Sequence, residues 1–247
     1  LEERERQILS MVNQQKVVSV EQIAQRFDIS LSTVRKQLNT LHERGLLIRT
    51  YGGAEAGNAA AMDNTLKNLD AKRRVAQLAR EQIHDGELVM IGAGSTTVQL
   101  ATLLYDAQEL TVFTNSIMVA AETIKNPNIE TRICGGIVRP TTGGIFGPQS
   151  ADYFKDVHAD KAFISPDSIS AQFGVGDTNA LVSYSQRAMI LSVETLFIVA
   201  DHTKVGLKTY SNRLASLDEV DCLITNAEAD QETLAEMIDA GIKVLLA

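Results

Sequence analysis

The sequence predicts an α/β protein in two parts: a small helical module closed by a β-hairpin, then a larger, mostly parallel α/β body. Three observations predict it. Apolar residues recur at helical spacing three times within the first fifty positions, and an alternating stretch ending in Gly52-Gly53 follows them. From residue 88 onward, short unalternating β-rich runs alternate with helical stretches, the pattern of a parallel sheet covered on both faces. Between the two, residues 55–69 carry no sustained periodicity and read as a linker. With 247 residues, 45% of them hydrophobic, the chain has apolar mass enough for two cores, which excludes a disordered or collagen-like polymer.

In the first part, Ile8, Leu9 and Val12 give the apolar face of a helix over 2–14, and 16–18 is a short β-prone piece. Ser19 is the N-cap of a second helix, and Gln22 three residues on completes a capping box. Val20, Ile23, Ala24 and Phe27 fall at i, i+3, i+4 and i+7, a core face. Asp28-Ile29 makes a tight turn. Ser30 then caps a third helix with Leu31, Val34, Leu38 and Leu41 on its buried side, and Gly45 stands where a terminating glycine belongs. Leu46 and Ile48 alternate with Leu47 and Arg49, as in a half-buried strand, before the glycine turn. Three short helices and a hairpin make a winged helix-turn-helix, assigned to residues 1–54.

What the third helix exposes carries the chemistry. With one face fixed inward, Ser32, Thr33, Arg35 and Lys36 point outward near its start. An α-helix fits the major groove of duplex DNA, where Arg bonds guanine bidentately. The hydroxyls of Ser30, Ser32 and Thr33, with the free N–H groups of a helix start, suit phosphate oxygens. Arg49, Tyr51 and Gly52 on the wing are placed for an adjacent phosphate or the minor groove. A winged helix that docks a protein, with its basic pair merely solvated, is the alternative; the outward basic pair favours DNA. The net charge of −8 argues the other way until it is divided: residues 1–53 hold 8 Lys+Arg against 6 Asp+Glu, a net of +2, and the remainder carries −10.

The body, residues 70–247, opens on a helix capped by Asp70, with Val75, Leu78, Ala79 and Ile83 inward, ended by Asp85-Gly86. Strands are expected over 88–91, 110–113, 132–134, 162–164, 196–200, 222–224 and 244–246. In a parallel sheet, ligands bind beyond the carboxyl ends of the strands. After the first strand comes Gly92-Ala93-Gly94-Ser95-Thr96-Thr97, opening a helix with Leu100 and Leu103 inward. Glycines let backbone approach a ligand, and hydroxyls with free helix N–H groups prefer an anion, typically phosphate. The dinucleotide fingerprint requires a third glycine where Thr97 stands and an acid about 20 residues on. The next strand ends instead in Thr114-Asn115-Ser116, so NAD is disfavoured.

Later strand ends add Asn115 and Ser116 as hydroxyl binders, Gly135 and Gly136 for close backbone approach, and Arg139 as an anion partner. Asp201-His202-Thr203-Lys204 supplies an acid and an amine three residues apart. Singly each is an ordinary loop; together they describe a pocket for a polyhydroxylated anion. No cofactor or metal is implied: His84, His158 and His202 lack ligand or triad spacing, and Cys134 and Cys222 form no ligand pattern. Two unrelated cysteines, no signal-like opening and no apolar span point to a reducing cytoplasm and no membrane.

These residues resemble, in order, the DeoR family of bacterial transcriptional regulators. In the first part the resemblance runs through Val20 to Phe27, Ser32-Thr33-Val34-Arg35-Lys36-Gln37-Leu38 and Gly45 to Arg49, then Tyr51-Gly52-Gly53-Ala54. In the body it runs through Gly94-Ser95-Thr96-Thr97, Thr114-Asn115-Ser116, Gly135-Gly136, Phe163-Ile164, Arg187-Ala188-Met189-Ile190, Asp201-His202-Thr203-Lys204 and Asp221-Cys222-Leu223-Ile224-Thr225. The resemblance implies a sensor domain similar in fold to ribose-5-phosphate isomerase and glucosamine-6-phosphate deaminase, whose pocket binds a phosphorylated sugar acting as inducer. Asp167 is the one acid kept from the family's loop after the fourth strand, and it joins the expected effector site.

This chain departs from the family's pattern at several places. Lys36 and Gln37 replace an arginine and an acid. Lys36 keeps the charge without the fork of a guanidinium, which suits it to phosphate rather than base contact. Gly92 replaces an acid before the Gly-Ser-Thr-Thr turn, Ser168 and Ser170 stand in the loop that ends in acids elsewhere, and Leu181-Val182 occupies the place of an acidic pair. Carboxylates for sugar hydroxyls are therefore expected to be scarce.

The rival readings are a sugar-phosphate isomerase or deaminase, and a winged-helix adaptor whose large domain only oligomerises. Aldose–ketose chemistry needs a positioned carboxylate base, and Asp167, Asp201 and Lys204 are the right residue types. The rest of that loop lacks the acids, and an isomerase gains nothing from a DNA reader. The expectation is a repressor of a carbohydrate catabolic operon, not an enzyme: a dimer or tetramer whose operator affinity a phosphorylated sugar modulates.

Overall fold

The computed structural model describes residues 3–15, 17–43, 46–50, 52–56, 67–207 and 211–247. The chain divides into two compact units, Leu1–Leu66 and Lys67–Ala247. The expected linker lies for the most part outside the described residues, as do Gly45 and Tyr51.

The first unit runs α1 (Glu3–Gln15), β1 (Val17–Ser19), α2 (Val20–Phe27), α3 (Leu31–Glu43), β2 (Leu47–Thr50) and β3 (Gly53–Ala56). The three strands form an antiparallel sheet in the order β1-β3-β2. Ser19 and Gln22 cap α2 reciprocally, at 3.1 and 2.8 Å. Asp28 ends α2 in the left-handed region (φ 50°), and its amide bonds Ala24 O. Ile8, Leu9, Val12, Val20, Ile23, Val34, Leu38 and Leu41 close one core with Val18, Leu47 and Ala54 from the sheet.

Leu31 corrects the expectation: it is 41% exposed, because as the first residue of α3 it lies past the turn that Val34 anchors. In β2 the fully buried leucine is Leu47, with Leu46 only partly covered. Gly53 is obligatory. A Cβ there would stand 2.0 Å from Val18 O, inside the β1–β3 pairing.

The second unit begins with α4 (Leu69–Arg80), β4 (Leu88–Ile91), α5 (Ser95–Thr102), β5 (Leu110–Thr114), α6 (Ile117–Thr123) and β6 (Ile129–Ile133). A hairpin, β7 (Ile137–Arg139) and β8 (Gly144–Phe146), leads to α7 (Pro148–Lys155) and β9 (Ala159–Ile164). Then come β10 (Ser168–Ser170), β11 (Gly174–Asp177), α8 (Ala180–Ile190), β12 (Val193–Val199) and β13 (Asn212–Ala215). β14 (Cys222–Thr225), α9 (Gln231–Asp239) and β15 (Lys243–Leu246) complete it. Seven strands form a sheet in the order β15-β14-β12-β9-β4-β5-β6, and every pairing in it is parallel.

Alternate residues of each strand feed two cores. Val89, Ile91, Phe163, Phe197, Val199 and Ile224 face α4, α5 and α6, with Phe163 and Phe197 stacked at 4.9 Å. Met90, Ala162, Ile164, Leu196, Ile198 and Leu223 face α7, α8 and α9. Both faces are apolar, which is why the runs read as unalternating.

The sequence reading lacked β7, β8, β10, β11 and β13. They are short, glycine-bearing or polar, and lie in the segments that leave the carboxyl ends of β6, β9 and β12; β10, β11 and β13 form a separate antiparallel sheet. Asp70 is not the cap of α4. Asn68, with φ 56°, holds the N-cap position and Asp70 sits in the first turn, where an acid suits the helix dipole. Ile83 is buried but lies beyond the helix.

Candidate functional site

In the first unit, Ser30 organises the start of α3. Its Oγ accepts the Thr33 amide at 3.2 Å and lies 2.8 Å from both Ser32 Oγ and Thr33 Oγ1. Ser32, Arg35 and Lys36 are exposed and Thr33 is half-buried. The outward polar stripe therefore exists where the periodicity put it. Hydrogen bonds to its own amide and to Ser19 hold the Glu21 carboxyl below the ordinary range, and the charge of Arg35 adds to them. Arg49 is less free than expected: its Nη1 donates to Gly53 O at 3.1 Å and braces the wing. Gly52 is exposed at the wing tip, with open space around it.

The second unit's expected site sits where the sheet order reverses. The chain enters the sheet at β4, moves outward through β5 and β6, and returns to the other side of β4 at β9. Crevices of this kind, beyond strand ends at a topological switch, are where open α/β sheets take ligands. The loops after β4 and β9 meet there: a Cβ on Gly94 would lie 2.7 Å from Ser165 Cβ. The N–H groups of Ser95, Thr96 and Thr97 precede the first intrahelical bond of α5, Val98 N–H to Gly94 O at 3.0 Å.

Asn115 is fully buried; its Oδ1 accepts the Ala93 amide at 2.7 Å, and its Nδ2 has no partner among the described residues. From α8, Gln186 Nε2 reaches Ala93 O at 3.5 Å while its buried Oε1 has none.

Several predicted residues prove to be parts of the frame. Thr97 is buried, and its hydroxyl donates to Gly92 O (2.6 Å) and Gly94 O (2.9 Å), tying the loop. Ser116 caps α6 by accepting the Val119 amide at 3.2 Å. Asp201 is buried and accepts the Thr203 amide (3.1 Å), the Thr203 hydroxyl and Asn68 Nδ2 (3.3 Å). Gly136, with φ 144°, lets the chain pass Phe146 O, which a Cβ would meet at 2.7 Å; Gly135 is exposed and unencumbered. Ser and Asp at a strand end read equally as caps or as ligand donors, and here capping prevailed.

Charged groups from four segments converge. Asp167 accepts the Thr178 amide and hydroxyl, at 3.1 and 2.6 Å, and its other oxygen lies 4.0 Å from Lys204 Nζ. Asp177, which the sequence reading missed, ends β11 only 6% exposed and accepts the Asn179 amide at 2.8 Å. Burial pushes its pKa up to about 6; the Asn179 amide opposes this, Asp167 adds to it, and Arg139 and Lys204 lower it. The shortage of carboxylates expected from Leu181-Val182 is thus corrected. Val182 packs on Ala93 and Phe146, and Asp177 brings the acid from β11.

Two more residues were missed. Lys72, buried in α4, has its pKa drawn down to about 8 by burial against the pull of Asp201. Arg187, quoted above for its motif, ties α8 to Glu219 (2.6 Å) and Leu214 O (3.0 Å) and holds the frame. Among the described residues no group of three or more His, Cys, Asp or Glu is placed to hold a metal ion, and no helix is long and apolar enough to cross a membrane.

Residues 67–227 match the family described as the DeoR C terminal sensor domain, and residues 4–59 match the DeoR-like helix-turn-helix domain. The chain is 28% identical over 250 residues to the HTH-type transcriptional regulator GolR of Listeria innocua, covering 99% of this chain and 98% of that protein. It is 27% identical over 248 residues to the glycerol-3-phosphate regulon repressor of Escherichia coli, covering 99% and 98%. Among solved structures, ribose 5-phosphate isomerase A of Methanocaldococcus jannaschii covers 56% of this chain and 55% of its own, with 14% identity and a TM-score of 0.42.

Proposed function

The chain belongs to the DeoR family of transcriptional regulators, and from that premise we propose that it represses a carbohydrate catabolic operon through an operator affinity set by a phosphorylated sugar. One observation carries the reading. At the switch point, an anion cradle of helix N–H groups and the buried Asn115 amide, unpartnered among the described residues, stands beside the loop that leads from β9 to Asp167, and Lys204, Asp177 and Arg139 gather around that acid. The cradle suits a phosphate; mixed donors and acceptors suit hydroxyls. The names of relatives point to carbohydrate operons, one a glycerol-3-phosphate regulon repressor and another an L-fucose operon activator.

The reading distributes roles. Arg35 reads base edges from α3, while Ser30, Ser32, Thr33, Lys36, Arg49, Tyr51 and Gly52 contact the backbone. In the sensor unit, Gly94, Ser95 and Thr96 cradle phosphate with Asn115, and Thr97, Ser116, Gly135, Gly136 and Asp201 shape the pocket. Arg139, Asp167 and Lys204 meet the sugar. The protein works by binding rather than turnover, in the cytoplasm, as a dimer or tetramer whose recognition helices meet half-sites about one DNA turn apart or a multiple of it.

Transmission has a route inside the sensor unit. Lys204 lies on the short turn His202–Lys204, which Asp201 anchors to Asn68. The His202 amide donates to Asn226 Oδ1 at 3.1 Å, and Asn226 Nδ2 donates to Ala71 O at 3.0 Å. A ligand that draws Lys204 away from Asp167 moves this turn against the start of α4, immediately after the stretch that joins the units. Coupling of about 1–3 kcal/mol changes operator affinity about 5–150-fold.

Fluorescence anisotropy with an operator selected from a random-sequence pool tests the proposal. At least one sugar phosphate shifts the operator Kd by that factor, and Lys204→Ala needs at least about ten-fold more ligand for the same response. A panel of triose, pentose and hexose phosphates that leaves the Kd unmoved overturns it, and turnover of any of them moves the assignment to an enzyme.

A further inference from the structure

We infer that Asp177 is a specificity-determining residue of the sensor pocket, accepting hydroxyl hydrogens at the uncharged end of a ligand that carries a single phosphate. The inference rests on the sugar-phosphate reading above and narrows it from phosphorylated sugars in general to monophosphates with a hydroxylated far end.

Position comes first. Asp177 closes β11, and its backbone carbonyl accepts the Ser211 amide at 3.3 Å and Asn212 Nδ2 at 3.4 Å, so the residue is pinned on two sides. In the β10–β11 register Ser168 faces Gly176, which puts Asp167 and Asp177 at adjoining positions across the strands. Two carboxylates at facing register positions form a polar end that the frame alone does not require.

Charge decides the ligand class. Asp167 and Asp177 contribute two negative charges, and Arg139 and Lys204 two positive ones, so this end is neutral overall. A second phosphate there meets as many carboxylates as cations and gains little. Hydroxyl groups, which both donate and accept, match such a mixed set. The phosphate belongs at the α5 start, where free N–H groups and the Asn115 amide meet no acid among the residues named above.

Energetics separate this role from a structural one. A buried carboxylate costs stability unless fully paired. Among the described residues the Asp177 carboxylate accepts one hydrogen bond, from the Asn179 amide, which an asparagine Oδ1 accepts equally well. Its raised pKa, about 6, marks the charged form as unfavourable in the folded protein. A residue kept for structure alone gains from becoming Asn; one kept for the ligand loses function by it.

The test uses the full chain and its Asp177→Asn variant, with calorimetric titration and thermal melting at pH 8. The probes are inorganic phosphate, glycerol 3-phosphate, ribose 5-phosphate, fructose 6-phosphate and fructose 1,6-bisphosphate. The wild type binds at least one monophosphate about ten-fold or more tighter than both inorganic phosphate and the bisphosphate. Asp177→Asn loses that preference while its affinity for inorganic phosphate stays within a factor of about three, and its ligand-free Tm rises by a few degrees. A wild type that binds none of the sugar phosphates defeats the site reading itself. A wild type that prefers the bisphosphate, or a variant that keeps the monophosphate preference, overturns the inference on an intact site. A variant that melts several degrees lower than the wild type shows a carboxylate held for structure, and that too overturns the inference.

Discussion

The start of α3 and the strand tips of the sensor unit place polar residues in opposite ways. Ser32, Arg35 and Lys36 stand in solvent on a helix whose other face is fully apolar, so function is laid over a frame that does not depend on it. At the strand tips Thr97, Asn115, Asp177 and Asp201 are buried, and all four also hold loops or turns together. An exposed reader can change its residues at little cost in stability. A buried sensor cannot, because each polar side chain answers to the frame as well as to a ligand.

That contrast can be broken or sharpened by substitution. The largest effect belongs to Gly53→Val, whose side chain collides with Val18 O; it costs the first unit about 3 kcal/mol or more and abolishes operator binding, read by urea melting and anisotropy. A fully folded Gly53→Val with normal DNA affinity contradicts the packing described.

Next, Arg35→Ala loses about 1–3 kcal/mol of specific binding and relaxes base preference, while its Tm stays within about a degree of the wild type. Equal loss on scrambled sites makes Arg35 a phosphate contact, and a large drop in Tm ends the idea that this face is separable from its frame.

In the sensor unit Arg187→Ala costs about 1 kcal/mol, discounted because the Arg187–Glu219 pair is about one-third exposed. The sign with pH is fixed. Arg187 first, with the Ser216 amide and hydroxyl, holds the Glu219 pKa down to about 2, from 4.5. That stability is present above pH 4.5 and lost as pH falls through 4.5 toward 2. In Arg187→Ala the acid melting curve therefore flattens over that window; an unchanged curve removes the ion pair from the account. The smallest effect is that of Lys36→Ala, which weakens binding evenly across sequences and lowers the salt slope by about one.

The first unit was legible because helical periodicity determines both its core and its outward face. Val34, Leu38 and Leu41 settle where Arg35 points; Leu31, at the helix start, and Leu47, buried in place of Leu46, depart from the pattern. The parallel strands were legible for a related reason: burial on both faces leaves continuous apolar runs. The inserted strands were not, since Gly174-Val175-Gly176-Asp177 acquires its meaning only when β10 and β13 pair on either side. Asp177 escaped notice with them. Asp201 and Ser116 were seen, yet their competing uses as caps depend on which amide folds back toward them, and spacing does not specify that.

The small β10-β11-β13 sheet stands outside the seven-stranded ladder, though Ile169, Val175 and Leu214 root it in the same core. Its tips can mutate without disturbing the register of the central strands or the turn after β4. A scaffold built this way confines the cost of a change at those tips to the appendage itself and leaves the pairings of the central sheet as they are.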